Sequence, residues 1–164
     1  MKLRSLMMAP LLLGLTGGIQ AEDSMMISVK RLSLETAQTI AQGAVEACRE
    51  QGIQIGVTVV DRDGVVQTTL RDTIAAPITV PISKGKAYTA VMFNVATSQL
   101  GDRANGPIGR VPGLIMSAGG LPVQVGGALL GGVGVSGAPS GETDEMCAQA
   151  GIDAVQDDLE LAGD

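Results

Sequence analysis

Gly119-Gly120-Leu121-Pro122-Val123-Gln124-Val125-Gly126-Gly127-Ala128-Leu129-Leu130-Gly131-Gly132-Val133-Gly134-Val135-Ser136 is the stretch on which the fold turns. Two short apolar runs, Leu121–Val125 and Ala128–Val135, flank the pair Gly126-Gly127, a pattern that reads as a β-hairpin closed by a two-residue turn. Glycine adds little strand stability of its own. The glycines at 126, 127, 131, 132 and 134 therefore imply that something lies close against this backbone: a packed helix, another subunit or a flat ligand. Packing is the simplest of the three causes.

Outward from that hairpin, the chain of 164 residues is 45% hydrophobic and 17% charged, which leaves room for one domain around one core. Residues 1–21 read as a signal peptide: Lys2 and Arg4 form a basic region, Leu6–Leu15 an apolar region, and Ile19-Gln20-Ala21 a cleavage site. That apolar run is short for a membrane span, so export with cleavage after Ala21 is expected, with a retained N-terminal anchor as the alternative. Residues 22–32 follow as a flexible leader, and 33–162 form the single domain.

Removal of Lys2 and Arg4 takes the formal net charge from −6 to −8. With no basic stripe to displace phosphate counterions, a nucleic-acid partner is not expected, and an acidic surface disfavours anionic lipid. After signal cleavage no membrane insertion is expected. The chain has no histidine, which removes His-ligated zinc, Ser-His-Asp catalysis and His-ligated haem. It also has no tryptophan, and Tyr88 and Phe93 are its two aromatic residues.

Before the hairpin, Ser33 opens a helix to about Gln51, with Leu34, Ala37, Ile40, Ala41, Ala44, Val45 and Cys48 on one face. Ile53–Val60 and Val65–Arg71 read as two strands joined by Asp61-Arg62-Asp63-Gly64. Asp61 and Asp63 suggest calcium, but the later acidic positions of a binding loop are missing, and turn chemistry explains them. Residues 72–81 read as irregular, and a second helix is expected from about Ile82 to Val95. Lys84 and Lys86 near its start offer an anion site or are simply solvated. Residues 96–116 are irregular except for a short helical turn at Thr97–Leu100. After the hairpin a last helix runs from about Ser140 to Leu161, its first turn carrying Glu142, Asp144 and Glu145 in keeping with the helix dipole.

Cys48 and Cys147 fall on the first and last helices. A disulfide between them is geometrically conceivable if those helices run antiparallel, and two buried free thiols are the equal alternative. Gly132-Val133-Gly134-Val135-Ser136-Gly137 satisfies G-x-G-x-x-G, but the glycines lie inside a strand and no acidic ribose-binding residue follows. No P-loop is present. A serine nucleophile such as Ser83 would need Lys86 as its base, and adjacency on a helix does not activate it.

The ordered set of Ser33-Leu34-Glu35-Thr36-Ala37, Val57–Gly64, Lys86-Ala87-Tyr88-Thr89-Ala90, Gly126–Gly137, Asp144-Glu145 and Ala150-Gly151 resembles the GlcG/HbpS-like family, which includes the C-terminal domain of PduO proteins. The resemblance spans roughly residues 30–162. It implies a profilin-like α/β (α+β) fold, a mostly antiparallel five-stranded sheet flanked by helices, that assembles into homo-oligomers. Some relatives bind haem, and others accompany glycolate or diol metabolism. A histidine that holds haem on the first helix of a relative has no counterpart here, which leaves Tyr88, Met92, Thr97 and Met116 as oxygen or sulfur donors.

The resulting expectation is an exported, oligomeric ligand-binding or accessory protein whose pocket lies between the second helix, residues 97–116 and the glycine-rich hairpin. Its ligand is haem, another tetrapyrrole or a small organic acid. Lys86 and Arg103 are the candidates for ligand carboxylates, and Tyr88, Phe93 and Thr97 for the walls. The alternatives are an enzyme acting on a small hydroxy or keto acid or degrading haem, and a purely structural assembly module.

Overall fold

The structure, a computed structural model, describes residues 25–163; the expected signal peptide lies outside them. Helix α1 (Leu34–Glu50) starts where expected because Ser33 caps it, its hydroxyl accepting the Thr36 N–H at 3.1 Å. Strands β1 (Gly56–Asp61) and β2 (Val66–Arg71) pair antiparallel around the Asp61–Gly64 turn. Asp61 Oδ1 accepts the N–H groups of Asp63 and Val65 there, so the aspartates serve the turn. Arg31 clamps both carboxylates from outside. With Leu32 buried at its end, the expected flexible leader is thus fastened at its last residues.

Helix α2 (Thr79–Phe93) begins three residues earlier than expected. Pro81 sits in its first turn, where the missing N–H has no intrahelical acceptor to lose, so proline does not break it. The helix ends at Asn94, the one non-glycine residue with positive φ (53°) among the described residues. The expected irregular segment carries Thr97–Leu100 as a 3₁₀ turn, helix α3 (Gly101–Ala104) and a second 3₁₀ turn at Pro107–Arg110.

Strands β3 (Gly120–Val125) and β4 (Ala128–Ser136) form the hairpin read from the sequence. Gly126 and Gly127, with φ of 55° and 79°, make the left-handed two-residue turn that this connection requires. Helix α4 (Gly141–Gly163) completes the chain.

The sheet order is β2-β1-β4-β3, antiparallel throughout. Among the described residues it has four strands where the resemblance implied five, because the chain between α2 and β3 is taken up by short helical turns. Side chains alternate across the sheet. Val57, Val59, Val123, Val133 and Val135 face α1 and α4 and form the main core with Ile40, Ala44 and Ile152. On the opposite face β4 presents Gly132 and Gly134 beside Thr58 and Val60 of β1, and α2 lies on it. A Cβ at Gly134 would overlap the Ser83 carbonyl oxygen, and one at Gly132 would stand 2.6 Å from Val91 Cγ2. The cause of the glycine run is therefore a packed helix.

The two helices of the main core are themselves close-packed and joined. A Cβ at Gly43 would be 3.2 Å from the Gly151 Cα, and Cys48 and Cys147 form a disulfide between Cα atoms 5.6 Å apart. Arg49 adds a bidentate ion pair to Asp72, both bonds 2.7 Å, tying the end of α1 to the end of β2. Among the described residues no helix is long and apolar enough to cross a membrane.

Candidate functional site

Helix α2 is covered by the sheet on one side and by residues 112–115 on another. Gly85 makes the second contact possible, since a Cβ there would stand 2.7 Å from two atoms of the Ile115 side chain. Thr89 fixes it: its hydroxyl donates to the Gly85 carbonyl at 2.7 Å and accepts the Ile115 N–H at 2.8 Å. Gly113, with φ of 90°, supplies the backbone turn that brings the segment back to the helix.

Between these pieces and the β1–β2 turn lies a cleft of about 550 Å³. Its walls are apolar, with Pro81 of α2 opposite Pro112, Leu114 and Ile115, and its floor at one end is Gly64 under the ring of Tyr88. A Cβ at Gly64 would stand 2.5 Å from that ring, so this turn glycine serves both the backbone (φ 80°) and the aromatic contact. Two polar side chains enter the cleft, Lys84 and Tyr88, one helical turn apart. Neither has a hydrogen-bond or ion-pair partner among the described residues. Lys84 is exposed and Tyr88 half-buried, so the apolar-walled cleft carries one unpaired ammonium and one phenol, chemistry suited to an anionic, largely apolar molecule.

Tyr88 is the one residue of the expected set that lines this cleft. Lys86, expected at a ligand carboxylate, is 4% exposed and turned the other way: its Nζ donates to Asp144 Oδ2 at 2.7 Å and to the Val135 carbonyl at 2.9 Å. Burial pushes the Asp144 carboxyl above the usual range, against the opposing pull of the Lys86 ammonium and the Ala138 N–H. Thr97, expected as a wall, is buried, and its hydroxyl accepts the Gly120 N–H at 2.9 Å. Phe93 and Arg103 stack on each other, the guanidinium 5.9 Å from the ring centroid, outside the cleft. The glycine-rich hairpin, expected as a third wall, is shut off by α2.

Lys84 is the residue that sequence reasoning passed over in favour of Lys86. The two lie on opposite flanks of the inward stripe Ser83, Ala87 and Ala90, and nothing local says which flank another element will cover. Asp144 decides it from α4, reaching Lys86 and leaving Lys84 to the cleft.

A second hollow of similar volume runs along α1, lined by Glu35, Gln38, Gln42 and Glu46 over Leu70. It is an exposed polar helix face, with Gln42 bonded to Glu46 at 2.9 Å. Among the described residues, no three histidine, cysteine or carboxylate side chains are grouped to hold a metal ion.

Comparison with known proteins agrees with this architecture. The chain is 30% identical over 131 residues to corrinoid adenosyltransferase PduO of Salmonella typhimurium, covering 76% of this chain but spanning only 39% of that protein's length. The crystal structure of a doubly substituted HbpS of Streptomyces reticuli superposes with a TM-score of 0.77 and 38% identity, over 90% of this chain and 98% of that one. The crystal structure of a PduOC–haem complex superposes with a TM-score of 0.70 and 30% identity, over 76% and 94% of the two chains. Residues 32–153 match the family described as haem degrading protein HbpS-like, and the chain belongs to that family.

Proposed function

We propose that this protein is an exported, oligomeric ligand-binding protein that holds haem or a related tetrapyrrole in the cleft between α2 and residues 112–115. The observation that carries the reading is the pairing of Lys84 with Tyr88 on apolar walls, both polar groups without partners among the described residues. A tetrapyrrole is a wide apolar plate with carboxylate arms. Its plate matches Pro81, Leu114 and Ile115, and an arm matches the Lys84 ammonium. The haem complex of PduOC, a relative in fold and sequence, supports the same ligand class.

Bound haem would supply its own iron chemistry. The chain's part is to bind and orient it: Lys84 sets which edge faces solvent, and residues 112–115, pinned by Thr89, keep one face dry. Export is supported by the Cys48–Cys147 disulfide, a bond suited to an oxidising compartment, and by the signal-like residues 1–21. Assembly into a homo-oligomer is supported by large apolar side chains left more than half exposed, Val65, Ile74, Ile78 and Met146 among them.

Titration with haem and with iron-free protoporphyrin, followed by absorbance and fluorescence, tests the ligand class. Both are expected to bind the wild type, and Lys84→Glu is expected to weaken both. Failure of both porphyrins to bind, or binding indifferent to Lys84→Glu, overturns it. Native mass and the N-terminal sequence of exported protein test assembly and cleavage.

A further inference from the structure

We propose that residues 25–30 of one copy of this chain add as a strand to the open edge of β2 in a second copy, and that the exchange is reciprocal. The proposal rests on the assembly part of the reading above, for which it names the contact, and is independent of what the cleft binds.

The two edges of the sheet differ. The β3 edge is closed: Pro122 has no N–H to offer, the Gly120 N–H is taken by the Thr97 hydroxyl at 2.9 Å, and the Gln124 side chain is bonded to Asn94. At the other end of the sheet, β2 pairs with β1 alone among the described residues. A strand bonded on one side points alternate N–H and C=O groups outward. The register with β1 is regular over Thr68–Arg71, the extra residue of the bulge being Gln67. That run contains no proline, and its one charged side chain, Arg71, is turned to the carbonyl oxygens of Asp72 and Ala75. An unblunted row of donors and acceptors is a template for one more strand.

The same chain carries a segment made for it. Extended, Met25-Met26-Ile27-Ser28-Val29-Lys30 places Met25, Ile27 and Val29 on one side and Met26, Ser28 and Lys30 on the other. Ile27 is 87% exposed and Val29 40%, and Met25 is fully exposed, so this apolar side has nothing over it. Its own β2 is not the acceptor. The root of the segment is held by buried Leu32 and by the ion pairs of Arg31 with Asp61 and Asp63, while Lys30 and Arg31 line a hollow with Val125, Leu130 and Leu159 on the β3–β4 side. Strands β4 and β1 stand between that side and the β2 edge, so the segment would have to double back to reach it. A second copy imposes no such turn. Two copies related by a two-fold axis satisfy both segments and both edges at once, which closes the assembly and makes each sheet five-stranded. Leu70, half-buried against the main core, is the apolar side chain at that edge for the segment to cover.

The test compares wild type with the double variant Ile27→Asp, Val29→Asp. Both side chains are exposed, and Arg31 and Leu32 are untouched, so the fold is retained. Native mass reads assembly, and hydrogen exchange over Thr68–Arg71 reads the edge. The wild type is expected to be a dimer or a multiple of dimers. The variant should lose about half of that mass or more, and its Thr68–Arg71 amides should exchange about tenfold faster or more. A variant with wild-type mass and wild-type exchange overturns the strand addition and leaves assembly to another surface, pairing of β2 with β2 included. Loss of mass with unchanged exchange over Thr68–Arg71 overturns the β2 edge as the seat of the segment. A monomeric wild type overturns the strand addition and the assembly together.

Discussion

The Lys86 ammonium and the Asp144 carboxylate stand 2.7 Å apart, with side chains 4% and 5% exposed, and they join the middle of α2 to the first turn of α4 across the edge of the glycine-rich hairpin. The space beside the pair is tight: a Cβ at Gly119 would lie 2.7 Å from the Lys86 Nζ and 2.8 Å from the Asp144 Cβ. The pair holds the two helical layers in register at the point where the chain passes from β4 to α4.

Removing one member strands the other. Lys86→Ala is expected to destabilise the protein by about 3–5 kcal/mol, the scale for leaving a buried charge unpaired. The double variant Lys86→Met with Asp144→Asn, which keeps an acceptor for the Ala138 N–H, should recover most of that loss. Urea unfolding of the two variants beside the wild type measures both. A double variant no more stable than Lys86→Ala would mean that the attraction between the charges outweighs their desolvation.

The close approach of α2 to β4 is tested at Gly134. An added methyl there would meet the Ser83 carbonyl oxygen and stand 2.5 Å from the Ala87 amide nitrogen, backbone atoms that move only if the whole helix lifts. Gly134→Ala is expected to cost at least about 2 kcal/mol or to prevent folding. Gly101→Ala, in open space and at φ −51°, should be neutral or slightly stabilising. Thermal unfolding of the pair distinguishes contact from a general intolerance of change at glycine.

Both results bear on what a sequence can disclose. The hairpin, α1 and α4 were legible because each follows from local rules: two adjacent left-handed glycines, a serine cap, an apolar stripe at spacings of three and four. The close approach was legible too, since glycine runs in strands have few other uses. Helix α2 was harder. It is covered on several sides, so its apolar residues carry no phase that marks one face, and a proline in its first turn disguises its start. The fate of its two lysines was set by Asp144, 58 residues from Lys86. Tyr88 was recognisable as a wall residue by type, but the cleft it lines depends on Gly85, Thr89 and Ile115 meeting across the fold.

The disulfide is expected to behave as a structural one. Cys48 and Cys147 are fully buried, so native protein should show no titratable thiol and resist a mild reductant, while denatured protein should yield two thiols only after reduction. The bond spans a sequence separation of 99 residues, and the chain-entropy scale puts the cost of its loss at about 4–5 kcal/mol. Cys48→Ala with Cys147→Ala should lower the urea midpoint accordingly. Two free thiols in native or denatured protein before any reductant would contradict the bond.

Asp72 makes stability depend on acid. The bidentate Arg49 guanidinium, aided by the Thr73 N–H, draws its carboxyl down to about 2 from an ordinary value of 3.8, against the effect of burial. A carboxyl with a lower pKa in the folded state binds fewer protons there than in the unfolded chain between those two values. Its stabilisation is therefore complete above about pH 5, diminishes as pH falls through 3.8, and is gone below about 2. Asp72→Asn keeps the shape but not the charge. Urea unfolding should place it well below the wild type at pH 6, closer at pH 3, and together with it near pH 2. A gap between the two proteins that stays constant from pH 6 to pH 2 would show that Arg49 holds Asp72 without favouring its charged form.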